Sequence, residues 1–169
     1  NNSVLSSVYF TSIDTGYATH WTLDSSRVDI LQTVNGGNSW TLKKVGYGLY
    51  VTSIFFTNNN IGYAVGTDYL LMDGTILKTT DGGQNWSAQP TNTSKTLNSV
   101  FFLNFDTGYA VGMGGLVLRT VNAGVTWDSV STGFDYGLFS VYFTDANNGY
   151  IVGIDQPTFS GAILQTSDG

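Results

Sequence analysis

Short apolar segments alternate with short polar turns along the chain, and the alternation repeats four times. Each repeat opens with a serine that precedes β-branched and aromatic residues. These four segments are Ser7–Phe10, Ser53–Phe56, Ser99–Phe102 and Ser140–Phe143. Side chains of this type favour strands, and the Asn, Asp and Gly residues that follow each segment favour turns. The pattern therefore predicts a strand and a tight turn at the start of every repeat.

Three further landmarks follow in the same order in each repeat. A Gly-Tyr pair opens a second apolar segment, and an Ile-Leu or Val-Leu segment forms a third. The third segment leads into a motif that begins with Thr, has Asp or Asn two residues later, and ends in Trp. The motif stands at residues 33–40, 79–86 and 120–127, and its first half stands at 166–169. The repeats recur at intervals of 46 and 41 residues, which predicts four short strands in each.

Four strands in about 45 residues is the size of a β-propeller blade. We therefore predict an all-β chain with one propeller region at 1–169, whose repeats span approximately residues 7–52, 53–98, 99–139 and 140–169. Three blades are expected to be complete, and the fourth is interrupted within its last hairpin. From this interruption we expect the chain to be truncated at its C-terminus, and the rest of a larger propeller chain to complete the ring.

The recurring motif has a mechanical interpretation as a hairpin turn. Its glycines supply positive φ angles, its Asp or Asn side chain accepts backbone N–H bonds, and its Trp covers the hairpin as an apolar plug. The motif residues interpreted as structural are Asn35, Trp40, Asp81, Trp86, Asn122, Trp127 and Asp168.

These residues resemble the Asp-box, or BNR repeat, of sialidases and sortilin-type receptors. The fuller pattern resembles the propellers of the photosystem II assembly and stability factor family, whose repeats also occur in secreted bacterial proteins. This resemblance implies a propeller fold, structural box residues, and an extracytoplasmic location, secreted or at the cell surface of a bacterium. The chain departs from the sialidase pattern, which needs three arginines and a glutamate, because it has only Arg27 and Arg119 and no glutamate.

Composition excludes several classes of function. The net charge of −6 disfavours a nucleic-acid partner, which needs clustered Lys and Arg. With no cysteine there is no disulfide, thiolate metal site or cysteine nucleophile. No apolar run is long enough for insertion into a membrane, and no cofactor or metal motif is present. The Asp-rich segment 144–149 offers oxygen ligands for Ca²⁺, but its spacing matches no known calcium loop.

Two kinds of loop alternate in such a blade, and they emerge on opposite faces. The turns after the first and third strands are nearly identical between repeats, which is typical of a scaffold. The loops after the second strand and between blades vary in length and content, which is typical of recognition. The aromatic residues expected on this variable face are Trp21, Tyr47, Tyr50, Tyr69, Phe134, Tyr136 and Phe159. The alternative role of each ring is to fill a gap between two blades.

Two classes of function remain open. The first is a non-catalytic binding or scaffold module that recognises a protein or glycan partner through the variable face. The second is a fragment of a glycan-active enzyme, like the xyloglucanase propellers that also carry Asp-boxes, using pairs of Asp carboxylates. Its weak catalytic candidates are Asp68, Asp73, Asp135 and Asp155. The single histidine, His20, is interpreted as a packing or surface residue rather than a base.

Overall fold

The computed structural model describes residues 3–22, 28–46, 48–155 and 158–169, and within these ranges it contains only strands, turns and bends. The strands form four antiparallel sheets, each of which is one blade. No helix that could cross a membrane is found in the described part of the chain.

Each blade is a meander in which consecutive strands pair. Blade 1 consists of β1 (Ser3–Phe10), β2 (Gly16–Thr22), β3 (Val28–Thr33) and β4 (Thr41–Gly46). Blade 2 consists of β5 (Leu49–Phe56), β6 (Gly62–Asp68), β7 (Asp73–Thr79) and β8 (Ser87–Gln89). Blade 3 consists of β9 (Leu97–Phe102), β10 (Gly108–Gly112), β11 (Val117–Thr120) and β12 (Asp128–Val130). Blade 4 consists of β13 (Tyr136–Phe143), β14 (Gly149–Asp155) and β15 (Gly161–Thr166).

This architecture confirms the predicted fold class: three blades have four strands, and the fourth has three within the described residues. The serine that opens each of the first three repeats joins neighbouring blades through their first strands. Ser7 Oγ accepts a hydrogen bond from the Ile54 N–H at 3.3 Å, and Ser53 Oγ accepts one from the Val100 N–H at 3.4 Å. Ser99 Oγ repeats the bond to the Val141 N–H at 3.4 Å.

The hydrophobic core lies between blades rather than within one sheet. Tyr63, Val65 and Ile76 of blade 2 pack against a set of blade 3 residues that includes Leu97 and Val100. The same arrangement joins blades 1 and 2, and blades 3 and 4. Each blade is therefore stabilised mainly by the faces that its neighbours cover.

Several strands extend further than the sequence pattern indicated. The sequence pattern predicts variable loops at 19–28 and 43–50, but residues 19–22, 43–46 and 49–50 of these segments lie in β2, β4 and β5. In blade 2 a bulge between Val51 and Ser53 interrupts the pairing, which then resumes as far as Leu49 opposite Asp68. The sequence pattern did not indicate this longer strand, because the bulge adds one residue and so breaks the period-two alternation.

Candidate functional site

The turns after the first and third strands meet on one face, which we call the Asp-box face. In each blade a backbone N–H of the box donates to a carbonyl oxygen of the β1–β2 type turn. The Gly36 N–H donates to Asp14 O, the Gly82 N–H to Asn60 O and the Ala123 N–H to Asp106 O, all at 2.9 Å. The Gly169 N–H donates to Asn147 O at 3.0 Å in blade 4. This face is therefore built from one repeated turn pair.

Inside each box a threonine and an acid or amide tie the hairpin together. Thr79 Oγ1 donates to Asp81 Oδ1 at 2.8 Å and accepts from the buried Gly83 N–H at 2.9 Å. Asp81 Oδ1 also accepts from the Asn85 N–H at 2.9 Å, and its Oδ2 accepts from Asn85 Nδ2 at 2.8 Å. Because these donors stabilise the carboxylate, they lower the pKa of Asp81 to about 2.

The boxes that carry Asn use the same geometry. Asn35 Oδ1 accepts from Thr33 Oγ1 and from the Ser39 N–H at 3.0 and 2.9 Å. Asn122 makes the matching bonds with Thr120 and Thr126, and Asp168 accepts from Thr166 Oγ1 at 2.7 Å. The indoles of Trp40, Trp86 and Trp127 lie nearly perpendicular to the rings of Phe10, Phe56 and Phe102, with ring centroids 5.9–6.2 Å apart. The box residues thus lie in a hydrogen-bonded and aromatic framework.

The tyrosines of the first three Gly-Tyr pairs, Tyr17, Tyr63 and Tyr109, each reach the box of the next blade. Tyr63 Oη donates to Ala123 O at 2.8 Å, and Lys78 Nζ donates to the same carbonyl at 2.6 Å. Burial, together with the negative charge of Asp106, raises the pKa of Tyr63 to about 12. Burial also lowers the pKa of Lys78. These contacts join blade 2 to the box of blade 3. Because the Tyr63 side chain is fully buried, it is not accessible to a ligand.

The opposite face, which we call the variable face, is formed by loops that differ from blade to blade. The Tyr69 N–H donates to Gly48 O at 2.7 Å, the Met113 N–H to Thr96 O at 3.0 Å, and the Gly115 N–H to Tyr136 O at 2.6 Å. The first two bonds join a β2–β3 type loop to the segment before its own blade, and the third joins such a loop to Tyr136 at the start of the next blade's first strand. The loops therefore form a connected surface.

The predicted aromatic residues divide into two clusters on this face. Trp21 lies edge-on to Tyr50 at 4.8 Å, and Tyr50 lies 6.1 Å from Tyr69. At the other end of the arc, Phe134 stacks on Tyr136 at 5.0 Å with an interplanar angle of 7°.

The other two predicted aromatics are Phe159 and Tyr47. Phe159 is exposed in the β14–β15 loop, and Tyr47 lies outside the described residues. The sequence therefore predicted the face, whereas the structure shows how its rings are grouped.

Sequence reasoning missed the side chains that extend the first cluster. Leu70, Leu71 and Met72 follow Tyr69 in the β6–β7 hairpin and are 66–75% exposed. We call residues 69–72 the apolar loop. Asp68 Oδ1 accepts from the Leu70 and Leu71 N–H groups, and Met72 has a φ of 58°. The available signal was a run of four apolar residues between two strands, where turn residues are normally polar.

The four aspartates proposed as catalytic candidates all lie towards the variable face. Asp68 and Asp73 pair across one hairpin, and Asp68 is engaged in capping the apolar loop. Asp155 pairs with Tyr136 and accepts from Thr158 Oγ1, while Asp135 lies in the loop before β13. The structure thus places Asp68 and Asp73 in blade 2, Asp155 in blade 4, and Asp135 in the segment between blades 3 and 4.

The other titratable residues considered in the sequence are His20 and Asp145 of segment 144–149. His20 pairs with Asp29 across β2 and β3, and its buried Nδ1 has no hydrogen-bond partner in the described structure. In segment 144–149, Asp145 accepts from the backbone N–H groups of Asn147 and Asn148, which lowers its pKa. Among the described residues, no group of three or more His, Asp or Glu side chains could hold a metal ion.

A groove of about 450 Å³ lies beside β15 in blade 4. Its lining includes Val130 from β12, Phe134 from the segment between β12 and β13, and Ile163 from β15. In blades 1–3 a fourth strand occupies the place beside the third, so the groove marks the uncovered edge of the described blade 4 sheet.

Comparison with solved structures places this architecture among known propellers. A structure of YCF48 bound to a D1 peptide superposes with a TM-score of 0.72 at 19% identity, covering 92% of this chain and 47% of that one. YCF48 from Cyanidioschyzon merolae gives 0.68 at 17% identity, covering 96% and 56%. The Niastella koreensis GH74 enzyme gives 0.63 at 13% identity, covering 94% and 30%.

The chain thus spans only about half the length of the two YCF48 structures. No curated protein matches its sequence. The family model described as photosynthesis system II assembly factor YCF48 matches residues 34–135, which is more than half of the sequence. The chain therefore belongs to the YCF48 family.

Proposed function

We propose that this chain is a non-catalytic recognition module that binds a protein partner through its variable face. The observation that carries the proposal is the apolar loop. A soluble domain gains nothing in stability from four consecutive exposed apolar residues, and exposed patches of this kind mark interaction sites. The neighbouring rings of Trp21 and Tyr50 extend the patch with aromatic anchors of the type found at the centre of interfaces.

Backbone strain in the same loop supports this interpretation. Met72 occupies the left-handed region, where a residue with a side chain loses stability relative to glycine. Phe159, also exposed on the variable face, has a φ of 55°. At both positions a large apolar side chain is held outward at a conformational cost, which is typical of a residue retained for contact with a partner.

Charge indicates the chemistry of the partner. Asp68 and Asp73 flank the apolar loop, and the chain carries a net charge of −6. We infer that the partner is a peptide segment with apolar anchors and basic flanking residues. A YCF48 structure bound to a D1 peptide provides a precedent for peptide recognition by a similar fold.

A phage-displayed library of random dodecapeptides, panned on the immobilised chain, tests the proposal. We expect selected peptides to be rich in apolar and basic residues and to lose at least tenfold in affinity, or about 1.4 kcal/mol, against a Leu71→Asp variant. A Val121→Asp variant, which changes an exposed residue on the Asp-box face, is the matched control and should bind normally. Equal losses in both variants would contradict recognition by the variable face.

A glycan-binding or glycan-active role is the second candidate, because the variable face also carries four aspartates and paired rings. Its test is a glycan array together with incubation on xyloglucan. Binding lost on Phe134→Ala and Tyr136→Ala would favour the glycan reading, and hydrolysis lost on Asp68→Asn or Asp155→Asn would favour the enzyme. An inactive parent protein that binds no sugar would count against both.

The proposal extends to location and to ring size. We place the module outside the cytoplasm, secreted or at a bacterial cell surface, because repeats that resemble these occur in secreted bacterial proteins. Fractionation of the source cells with an antibody against the chain tests that location. We further propose that additional blades complete the ring, and the sequence-based expectation assigns them to a larger propeller chain.

A further inference from the structure

The sulfur atoms of the chain are two thioethers on the variable face. The sequence contains two methionines, Met72 and Met113, and no cysteine. Both methionines lie in β2–β3 type loops, Met72 in blade 2 and Met113 in blade 3. A thioether is an apolar group that adds one oxygen atom reversibly. These two side chains are therefore the sulfur sites at which an oxidant can change the character of the variable face.

The two methionines differ in their exposure to solvent. Met72 is 66% exposed, whereas Met113 is half-buried. The Met113 N–H donates to Thr96 O at 3.0 Å, which draws its loop against the segment before blade 3. Blade 2 packs against blade 1 on one face and against blade 3 on the other, so the exposure of Met72 is a property of its own loop. The chain thus carries one accessible thioether and, in an equivalent loop, one shielded thioether.

The backbone of the two loops accounts for this difference. In blade 3 the left-handed positions fall on Gly114–Gly115, with φ angles of 62° and 66°. In blade 2 the left-handed position falls on Met72 itself, with a φ of 58°. Asp68 Oδ1 accepts two N–H bonds at the start of the apolar loop, and just beyond its end the Gly74 N–H donates to Thr93 O at 3.0 Å. The loop is therefore anchored on both sides, and the folded protein presents Met72 outward.

We propose that Met72 is a reversible oxidation site and that its sulfoxide switches off recognition by the apolar loop. The switch rests on the proposed function, because it acts on the same surface. The exposed thioether belongs to the apolar loop at residues 69–72, next to the similarly exposed Leu70 and Leu71. A change in the polarity of this one side chain therefore alters the surface that would contact the partner.

The reaction uses a peroxide as its oxidant. The Met72 sulfur attacks one oxygen of hydrogen peroxide, so that an S–O bond forms while the O–O bond breaks. The sulfur is oxidised by two electrons, and the second peroxide oxygen takes up the remaining proton and leaves as water. A methionine sulfoxide reductase reverses the step with a dithiol as reductant: the sulfoxide oxygen leaves as water and the dithiol becomes a disulfide.

Oxidation makes one point of the apolar loop polar. The thioether contributes apolar contact, whereas the sulfoxide oxygen is a hydrogen-bond acceptor that water solvates well. An apolar anchor of a bound peptide would cover this oxygen without offering a donor, and a buried polar group without a partner lowers affinity. We therefore expect the sulfoxide of Met72 to weaken the binding of a selected peptide by about tenfold.

Limited oxidation of the folded chain tests the modification site without any ligand. The chain is treated with hydrogen peroxide for increasing times, the reaction is stopped with catalase, and mass spectrometry of its proteolytic peptides measures the sulfoxide at each methionine. We expect Met72 to be oxidised several times faster than Met113. In guanidinium, where the chain is unfolded, the two rates should become equal. Equal rates in the folded chain, or faster oxidation of Met113, would overturn the site.

Calorimetric titration with a selected peptide that contains no Met or Cys tests the switch. The oxidised parent chain should bind this peptide about tenfold more weakly than the untreated chain, and methionine sulfoxide reductase should restore the affinity. Met72→Leu has no thioether at this position, so its affinity should be the same before and after peroxide. Met113→Leu is the matched control and should keep the full response to peroxide.

The outcomes separate the switch from the proposed function. If peroxide leaves the affinity of the parent unchanged while Leu71→Asp loses binding, recognition by the apolar loop stands and the switch is overturned. A response to peroxide that persists in Met72→Leu would also overturn the switch, because another side chain would then be responsible. If Leu71→Asp binds like the parent, or if no peptide is selected, the proposed function fails and the switch fails with it. The relative oxidation rates of Met72 and Met113 decide the modification site in either case.

Discussion

The Asp-box face and the variable face use the same backbone meander for opposite purposes. On the Asp-box face, each turn repeats the same hydrogen bonds, and positive φ angles fall mostly on glycines such as Gly36 and Gly82. On the variable face, Met72 and Phe159 take positive φ angles with exposed apolar side chains. Turns with satisfied hydrogen bonds and with glycine at positive φ therefore identify the scaffold. Exposed apolar residues that are held at an unfavourable positive φ identify the surface available for recognition.

The largest expected difference between the faces is the effect of removing one threonine hydroxyl. Thr79→Val keeps the side-chain shape but leaves the buried Gly83 N–H without its acceptor, so we expect a loss of about 2 kcal/mol in the free energy of unfolding. Thr93→Val on the variable face removes an acceptor from the exposed Lys95 N–H and should cost less than about 0.5 kcal/mol. Urea denaturation of both variants measures the contrast, and similar losses would argue against it.

The next largest effect on stability is expected for the tyrosine that joins one blade to the box of the next. Tyr63→Phe should cost about 1 kcal/mol, since Ala123 O keeps its bond from Lys78. Tyr150→Phe, at the exposed equivalent position, should leave stability unchanged.

The same variant has a signature at alkaline pH. Because the folded-state pKa of Tyr63 is raised to about 12 from 10.0, its contribution to stability is present below pH 10 and is lost as the pH rises towards 12. Tyr63→Phe should flatten part of that decline in unfolding titrations. An unchanged slope would show that other groups cause it.

A smaller effect of opposite sign is expected where the backbone is strained. Met72→Gly and Ala123→Gly each relieve a positive φ and should raise the free energy of unfolding by up to about 1 kcal/mol. The two variants should differ in peptide binding. Only Met72→Gly, in the apolar loop, should weaken the binding of a selected peptide. Calorimetric titration and thermal unfolding on the same samples test both effects, and normal peptide binding by Met72→Gly would remove Met72 from the recognition surface.

The smallest effect concerns the charge of one box. Asp81→Asn should leave stability near neutral pH almost unchanged, because Asn35 and Asn122 make the same backbone bonds. The depressed pKa of Asp81, about 2 against 3.8, gives stability that is present above pH 4 and is lost as the pH falls towards 2. Acid unfolding of the Asn variant should therefore lack this component, whereas an acid profile identical to that of the parent would contradict the assignment.

The sequence was sufficient for the fold because the repeat places the same residue types at the same turns four times. The box hydrogen bonds and the strand order follow from Thr, Asp or Asn, and Gly at fixed spacing. The candidate site was predicted only as a face. The grouping of its aromatic rings depends on how far β5 and β13 extend past their bulges. The exposure of Leu70–Met72 depends on the hydrogen bonds that the Asp68 side chain accepts from the loop. Neither feature is encoded in the periodicity of the sequence.

Hydrogen–deuterium exchange with and without a selected peptide tests the central claim most directly. If the variable face is the recognition surface, the peptide should protect backbone amides at 48–50 and 69–72 and leave the box turns at 34–39, 80–85 and 121–126 unchanged. Protection of the box turns, with free exchange in the apolar loop, would contradict the account.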